Sequence, residues 1–397
     1  MSWKVRTCVI GAFIRTLVRI LPLFYPVIGR RSNRVRCYNR GRLSAMEEGV
    51  MFHRRPEPAQ YPRVRVAFER WHADHRLNPR RFRVWIGLAT VLLAMFMTFA
   101  LPYVLPLPGP EPQDPAALAD PGGAFVTIEG KRLYTVHAAG TRATVVLLHG
   151  FGGGTVTWTG TLDALTDAGY EVYAVDLLGF GLSDKGWTHD YRTAAHAARV
   201  VALLDQASVE RAAFVGHSMG GRVAATIALD YPDRVSALAL VAPALGEGVP
   251  TVPGWVFDVP GVRRWVQIGL RAAAPRLFDD LLADAAYNDA ALTPAVRAGY
   301  RRVLDTPGWE LALLGMLRDG ETGAARSLSG VSIPVLLLWG ARDTWVPPDG
   351  AAAIRGDLPN AEQVTLPEVG HLPMHEAPDA FNAALIDFLD RQAAITP

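Results

Sequence analysis

The sequence predicts an α/β domain built on a mostly parallel sheet with helices on both faces, preceded by one transmembrane helix. Two observations favour this fold class. From about residue 123, short apolar runs rich in β-branched residues alternate with helical stretches, which is typical of a sheet buried on both faces. Residues 84–107 carry no charge, and about 20 such residues are enough to cross a bilayer.

The amino-terminal segment, residues 1–83, is strongly basic, with 19 Lys and Arg against 5 Asp and Glu. Residues 8–28 are apolar but include Arg15 and Arg19, which are costly near a bilayer centre. We therefore favour an amphipathic helix on the inner leaflet, although a second span stays open. The segment has no RNA-binding or helix-turn-helix signature, so we expect membrane lipid and not nucleic acid as its partner.

The charges around residues 84–107 predict the orientation of the span. Arg80, Arg81 and Arg83 directly precede it, and the next basic residue is Lys131. Positive charge is retained on the cytoplasmic side of bacterial and other membranes. We therefore expect a single-pass protein with a cytoplasmic amino terminus and an extracytoplasmic carboxyl-terminal domain.

The chain after the span divides into a linker and one large domain. Residues 108–122 are rich in Pro, Gly and Asp and predict the linker; residues 123–397 form the α/β domain. A hairpin is expected around Glu129 and Gly130. The other predicted strands are residues 144–150, 170–176, 211–218, 235–243, 333–340 and 361–366. Residues 190–207 and 219–230 are predicted helices.

One insertion interrupts this alternation. Residues from about 245 to 332 have helical periodicity and many large apolar side chains, and they are too numerous for a simple crossover between strands. Ligands of open α/β folds bind at the carboxyl edge of the sheet. We therefore predict that the insertion is a helical lid over this edge.

The stretch "VGHSMGG", residues 215–221, carries the clearest chemical signal. A Gly-x-Ser-x-Gly sequence between a strand and a helix predicts a nucleophile elbow, a sharp turn that exposes the serine hydroxyl. The glycines lack the bulk that would keep strand and helix apart. Ser218 is therefore the candidate nucleophile, and the following helix directs its free N–H groups at the reaction centre.

A serine nucleophile needs a base, and the base needs an acid that orients it. Asp343 follows a predicted strand in "WGARDTWVP", and His371 follows the last predicted strand in "EVGHLPMHEAP". The order Ser218, Asp343, His371 is that of an α/β-hydrolase triad. His375 is a competing candidate base, and Glu247 is the reserve acid.

The negatively charged tetrahedral intermediate needs two hydrogen-bond donors. The Met219 amide directly follows the nucleophile, and "HGFGGG", residues 149–154, offers the Phe151 amide. His149 and His217 are expected to have structural roles. No cofactor or metal is expected, because the glycine-rich stretch lacks the spacing of nucleotide-binding loops and the chain has no HExxH sequence.

Residues 123–397 resemble the α/β-hydrolase superfamily. The resemblance rests on "LLHGFGGG", "VDLLGFGLSDK", "VGHSMGG", "WGARDTWVP" and "GHLPMHEAPDAF", which occur in the order of that family. The subgroup is similar to lid-bearing serine esterases, monoacylglycerol lipases and meta-cleavage-product hydrolases. Ser218 argues against the neighbouring haloalkane dehalogenases and epoxide hydrolases, which use aspartate there. The resemblance implies nothing about residues 1–122.

The expected function is hydrolysis of carboxylic esters by a membrane-anchored serine hydrolase through an acyl-enzyme. The aromatic insertion and the anchor favour an apolar, lipid-derived small-molecule ester as substrate. C–C bond hydrolysis and perhydrolysis use the same triad and stay open. So does a non-catalytic, anchored binding protein on the same scaffold, because fold alone does not establish activity. The sequence does not predict an oligomeric state.

Overall fold

The computed structural model describes residues 79–246, 252–320 and 326–393, which belong to two units that meet between Thr98 and Phe99. Most of the basic segment, including the predicted amphipathic helix at residues 8–28, lies outside the described residues. Glu247, the reserve acid, also lies outside them.

The apolar run predicted as a transmembrane span is helical. It comprises helix α1 (Pro79–Met95), a π-helical turn (Phe96–Ala100) and helix α2 (Leu101–Val104). Within the described residues, Phe82–Val104 is the one helical run long and apolar enough to cross a membrane, with a mean hydropathy of 2.2. The helix ends three residues before the predicted boundary at 107, because Leu105 is extended and precedes a proline.

The eight strands of the carboxyl-terminal unit form one sheet with the order β1-β2-β4-β3-β5-β6-β7-β8. The strands are β1 (Gly123–Ile128), β2 (Lys131–Ala138), β3 (Thr144–Leu148), β4 (Glu171–Val175), β5 (Ala212–His217), β6 (Val235–Val241), β7 (Val335–Gly340) and β8 (Glu362–Leu366). Strand β2 pairs antiparallel with β1 and β4, and the other neighbours are parallel. The predicted α/β fold is confirmed.

The predicted hairpin joins β1 to β2 through Glu129 and Gly130. Their φ angles are 50° and 72°, so both central residues of the turn have positive φ. This is the backbone of the two-residue turns whose twist matches that of the flanking strands. The hairpin therefore closes the antiparallel edge of an otherwise parallel sheet.

Helices cover both faces of the sheet and fill the insertion. They are α3 (Thr159–Asp167), α4 (Thr193–Gln206), α5 (Met219–Asp230), α6 (Trp255–Asp258), α7 (Pro260–Ala285), α8 (Pro294–Arg301), α9 (Trp309–Asp319), α10 (Gly350–Asp357), α11 (Pro373–Glu376) and α12 (Pro378–Ala393). Short 3-10 turns are Pro115–Leu118, Thr155–Trp158, Pro232–Arg234, Asp289–Ala291 and Arg302–Asp305. Helices α6 to α9, with the turns between them, are called the helical insertion below.

Two apolar cores lie on the two faces of the sheet. Val146 and Leu148 of β3 belong to one core, and Val145 and Leu147 belong to the other, since successive side chains of a strand point to opposite faces. All four are fully buried. This double burial explains why the parallel strands are apolar throughout and do not alternate with polar residues.

The segment predicted as a linker, residues 108–122, is bound to the helical insertion. Arg302 donates to both carboxylate oxygens of Asp120 at 2.6 and 2.8 Å, and the Gln113 amide donates to the Asp305 carbonyl at 2.7 Å. Residues 108–122 therefore have specific contacts with the insertion, which their composition did not indicate. A stretch rich in proline and aspartate looked like a spacer, but its aspartate has a cationic partner far away in the sequence.

The packing of α12 on the sheet can be tested at Phe381. Its side chain is fully buried and lies against Trp158 with ring centroids 6.4 Å apart. We expect Phe381→Ala to lower the free energy of unfolding by about 3–5 kcal/mol, because it removes apolar contacts and leaves a cavity. Trp255→Ala, at a side chain that is 70% exposed, should change it by no more than about 0.5 kcal/mol. Chemical denaturation measures both, and equal effects would contradict the assignment of the core.

Candidate active site

Ser218 lies in the sharp turn between β5 and α5. Its φ and ψ angles are 50° and −114°, a backbone conformation that non-glycine residues rarely adopt. A Cβ atom at Gly216 would lie 2.4 Å from the Gly220 carbonyl oxygen, and one at Gly220 would lie 2.2 Å from that of Leu148. Both glycines are therefore required by close backbone contacts, and these contacts keep the strained turn in place.

The predicted acid and base are paired. His371 Nδ1 lies 2.7 Å from Asp343 Oδ2, and both side chains are buried. The other oxygen, Oδ1, accepts the backbone N–H groups of Trp345 at 2.8 Å and Val346 at 2.9 Å. Because a carboxylate only accepts hydrogen bonds, Nδ1 donates to Asp343, and in the neutral imidazole Nε2 then carries the lone pair. This is the tautomer that a general base needs.

The main chain of His371 is held from two sides. Its N–H donates to the Ala285 carbonyl at the end of α7, and its carbonyl lies 2.8 Å from His217 Nε2. His217 directly precedes Ser218, so this bond connects the candidate base to the candidate elbow. Trp345 stacks on the His371 imidazole with ring centroids 5.5 Å apart.

The glycine-rich loop after β3 packs against the elbow. A Cβ atom at Gly150 would lie 3.0 Å from Ser218 Cβ and 2.8 Å from His217 Nδ1. Within the described part of the chain, neither the Phe151 amide nor the Met219 amide donates a hydrogen bond. The Met219 amide is the first N–H of α5, which has no acceptor inside the helix. Met219 directly follows Ser218 and Phe151 follows Gly150, so both amides remain candidate oxyanion donors.

His149 and His217 are buried and neutral. The Leu177 amide donates to His149 Nε2 at 3.0 Å, so Nδ1 carries the proton and donates to the Gly150 carbonyl at 2.7 Å. Burial lowers the pKa of His149 to about 4 and holds the pKa of His217 well below its usual value. The bond to Gly150 fixes the glycine-rich loop, in keeping with a structural role.

His375 does not pair with Asp343. Its Nε2 lies 3.1 Å from the Tyr300 hydroxyl, and burial lowers its pKa to about 4. The same hydroxyl lies 3.1 Å from Thr157 Oγ1. The competing base therefore connects α11 to α8 of the insertion, and the Tyr300 hydroxyl connects α8 to the turn that follows the glycine-rich loop.

Asp176, which the sequence prediction did not single out, shapes the same edge. Its carboxylate accepts the N–H groups of Thr155 at 2.5 Å and Leu182 at 2.6 Å, and burial raises its pKa. A Cβ atom at Gly181 would lie 1.9 Å from Asp176 Oδ2. A carboxylate at the end of an apolar strand, followed by a glycine-rich turn, is the signal that could have found it. Within residues 79–246, 252–320 and 326–393, no group of three His, Cys, Asp or Glu side chains is arranged to hold a metal ion.

These features define the class of protein. Residues 143–378 match the family model described as alpha/beta hydrolase fold, so the chain belongs to this family and is a hydrolase of the α/β type. This agrees with the resemblance seen in the sequence.

Similar proteins differ in the activity that their names state. The 2-hydroxy-6-oxononadienedioate/2-hydroxy-6-oxononatrienedioate hydrolase of Paraburkholderia phymatum is 29% identical over 66% of this chain and 93% of its own. Lipase 3 of a Moraxella species is 30% identical over 62% of this chain and 77% of its own. A bacterial virulence factor described as a membrane phospholipase A is 25% identical, with a TM-score of 0.55, over 79% of this chain and 99% of its own.

The buried histidines predict that acid destabilises the protein. His149, His217, His375 and His196, whose pKa burial lowers to about 3, are neutral when folded but bind protons below about pH 6.5 when unfolded. The unfolded state therefore binds more protons, and the free energy of unfolding falls as the pH drops from about 6.5 towards 4. Asp176 opposes this trend, because its raised pKa makes the folded state bind a proton first.

Each extra proton bound by the unfolded state contributes about 1.4 kcal/mol per pH unit. Denaturation of the purified protein at about pH 7, 6 and 5 measures the slope. His375→Gln keeps a partner for Tyr300 but cannot be protonated, so its slope should be shallower than that of the wild type. A free energy of unfolding that is constant or rises on acidification would refute the prediction.

Proposed function

We propose that the protein is a membrane-anchored serine hydrolase that cleaves carboxylic esters. The observation that carries this proposal is the buried Asp343–His371 pair at 2.7 Å, whose His371 carbonyl is bonded to His217, the residue directly before the strained Ser218. A neutral imidazole with its proton on Nδ1 presents a free Nε2, which a serine nucleophile requires.

The reaction follows from the roles of these groups. Ser218 Oγ attacks the ester carbonyl while His371 Nε2 takes its proton, and Asp343 stabilises the imidazolium that forms. The Phe151 and Met219 amides donate to the oxyanion. His371 then protonates the departing alcohol, leaving an acyl group on Ser218. The same imidazole activates a water molecule, which attacks the acyl-enzyme, releases the carboxylic acid and restores the serine.

The substrate that we favour is an apolar, lipid-derived ester. Two relatives with stated lipid-cleaving activities, a lipase and a membrane phospholipase A, support this substrate class. We propose that the helical insertion, about residues 245–332, is the lid that covers the substrate. Hydrolysis of an oxo-dienedioate is the second candidate, because a relative named for this reaction covers a similar part of the chain.

We also propose that the apolar helix anchors the enzyme in a membrane, with residues 1–83 in the cytoplasm and residues 123–397 outside it. The helix has no buried residue in its most apolar window, which suits contact with lipid. The match to the membrane phospholipase A includes more of the chain than residues 123–397 contain. The three arginines before the span and the absence of Lys and Arg from residue 84 to residue 130 support this orientation.

Active-site labelling tests the chemistry. A fluorophosphonate probe should label the wild-type protein and leave Ser218→Ala unlabelled. In Asp343→Asn, the amide oxygen should keep the N–H groups of Trp345 and Val346, so the amide NH₂ faces His371 Nδ1 and forces the wrong tautomer. We expect ester hydrolysis to fall by about three to four orders of magnitude.

Asp349→Asn is the matched control, because Asp349 is exposed on the same loop and should leave the rate unchanged. Esters of graded chain length and an oxo-dienedioate then separate the two substrate classes. A folded wild-type protein that resists labelling would refute the nucleophile and favour a binding protein.

Membrane extraction tests the anchor. The full chain should sediment with membranes and stay there in alkaline carbonate, because a spanning helix is released only by detergent. Residues 110–397, which lack the apolar helix, should remain in the soluble fraction. Release of the full chain by carbonate would contradict the anchor, and protection of residues 123–397 from protease outside intact cells would contradict the orientation.

A further inference from the structure

The Glu376 carboxylate binds two separate segments of main chain. It accepts the N–H groups of Tyr287 at 2.8 Å and Asn288 at 3.0 Å, directly after the last helical residues of α7. It also accepts the N–H groups of Gly370 at 3.0 and 3.1 Å and of Leu372 at 3.1 Å. Four main-chain donors thus converge on one side chain.

His371, the candidate base, lies between Gly370 and Leu372. Its own N–H donates to the Ala285 carbonyl at 2.8 Å, so His371 is attached to the insertion directly as well as through Glu376. A Cβ atom at Gly370 would lie 2.5 Å from the Tyr287 nitrogen. The loop that carries His371 and the end of α7 are therefore in close main-chain contact, and Glu376 satisfies the N–H groups on both sides.

We propose that Glu376 is a positioning residue for His371. Its carboxylate fixes the loop 370–372 against residues 285–288, so the imidazole keeps its orientation towards Asp343 and Ser218 while the insertion is docked. This role rests on the proposed function, in which His371 is the base. Glu376 acts through the main chain of His371, and it contacts neither the substrate nor the reacting atoms.

The chemistry of the side chain makes a sharp test possible. A carboxylate has two acceptor oxygens, and each oxygen here faces main-chain donors. In Glu376→Gln one oxygen becomes an NH₂ donor, which must face either Leu372 or the Tyr287 and Asn288 pair. The substitution therefore breaks one half of the contact with almost no change in volume.

The experiment uses the full chain in detergent and compares Glu376→Gln with Glu362→Gln. Glu362 is an exposed residue of β8 that pairs with Arg391, away from His371. We expect the rate constant of fluorophosphonate labelling and the kcat for p-nitrophenyl butyrate to fall about 10- to 100-fold in Glu376→Gln, by analogy with groups that orient a functional side chain indirectly. KM should stay within about twofold, and labelling should still reach one probe per chain. Glu362→Gln should match the wild type.

Hydrogen exchange at residues 285–288 and 370–372 gives a readout that does not depend on catalysis. Exchange there should accelerate in Glu376→Gln and not in Glu362→Gln. If Glu376→Gln does not fold, Glu376→Asp takes its place, since the shorter carboxylate cannot reach both segments and should give an intermediate loss of rate. Full folding with wild-type labelling rate and kcat would overturn the proposal. A fall in labelled fraction or Tm with an unchanged rate constant would assign a merely structural role.

An unlabelled wild-type protein would refute the proposed nucleophile, and the positioning role would fall with it. In that case faster exchange in Glu376→Gln would still show that the carboxylate holds the two segments together. Loss of the proposed function and loss of the positioning role are thereby distinguished.

Discussion

The close packing of the elbow on β3 is the constraint on which the candidate site depends. Gly220 lies so near the Leu148 carbonyl that no other residue fits, and Gly216 is limited by Gly220 in the same way. These contacts hold α5 close to the carboxyl edge of the sheet and keep the φ angle of Ser218 positive. A looser turn would relieve the strain and withdraw the hydroxyl from that edge.

The parallel arrangement of the strands supplies the other groups. The carboxyl ends of β3, β5 and β7 lie along one edge, so the glycine-rich loop, Ser218 and Asp343 are on the same side of the sheet although they are far apart in the chain. His371 follows β8, at the edge of the sheet, and must be brought inward by its loop. That loop takes its support from Ala285, His217 and Glu376, and none of these belongs to β8.

The sequence predicted the sheet well and singled out Ser218, Asp343 and His371 as candidates, because strands and the elbow have local signatures. Apolar strands have a recognisable length and composition, and the elbow has glycines at fixed spacing. The contacts of Glu376 could not be predicted, since the main-chain N–H groups that it binds leave no trace in the sequence. The binding of residues 108–122 to the insertion was missed for a similar reason. Asp120 and Arg302 are 182 residues apart, and either could have been an ordinary surface charge.

Helix α7 contacts two regions that are far apart in the sequence, the apolar helix and the loop that carries His371. Near its beginning, Arg264 donates to the Pro102 carbonyl at the end of the apolar helix, and its last residue, Ala285, accepts the His371 N–H. Pro275 lies between these contacts and removes one hydrogen bond of the helix, so the two halves can bend relative to each other. The helix therefore joins the end of the proposed anchor to the proposed base, with a proline between the two contacts.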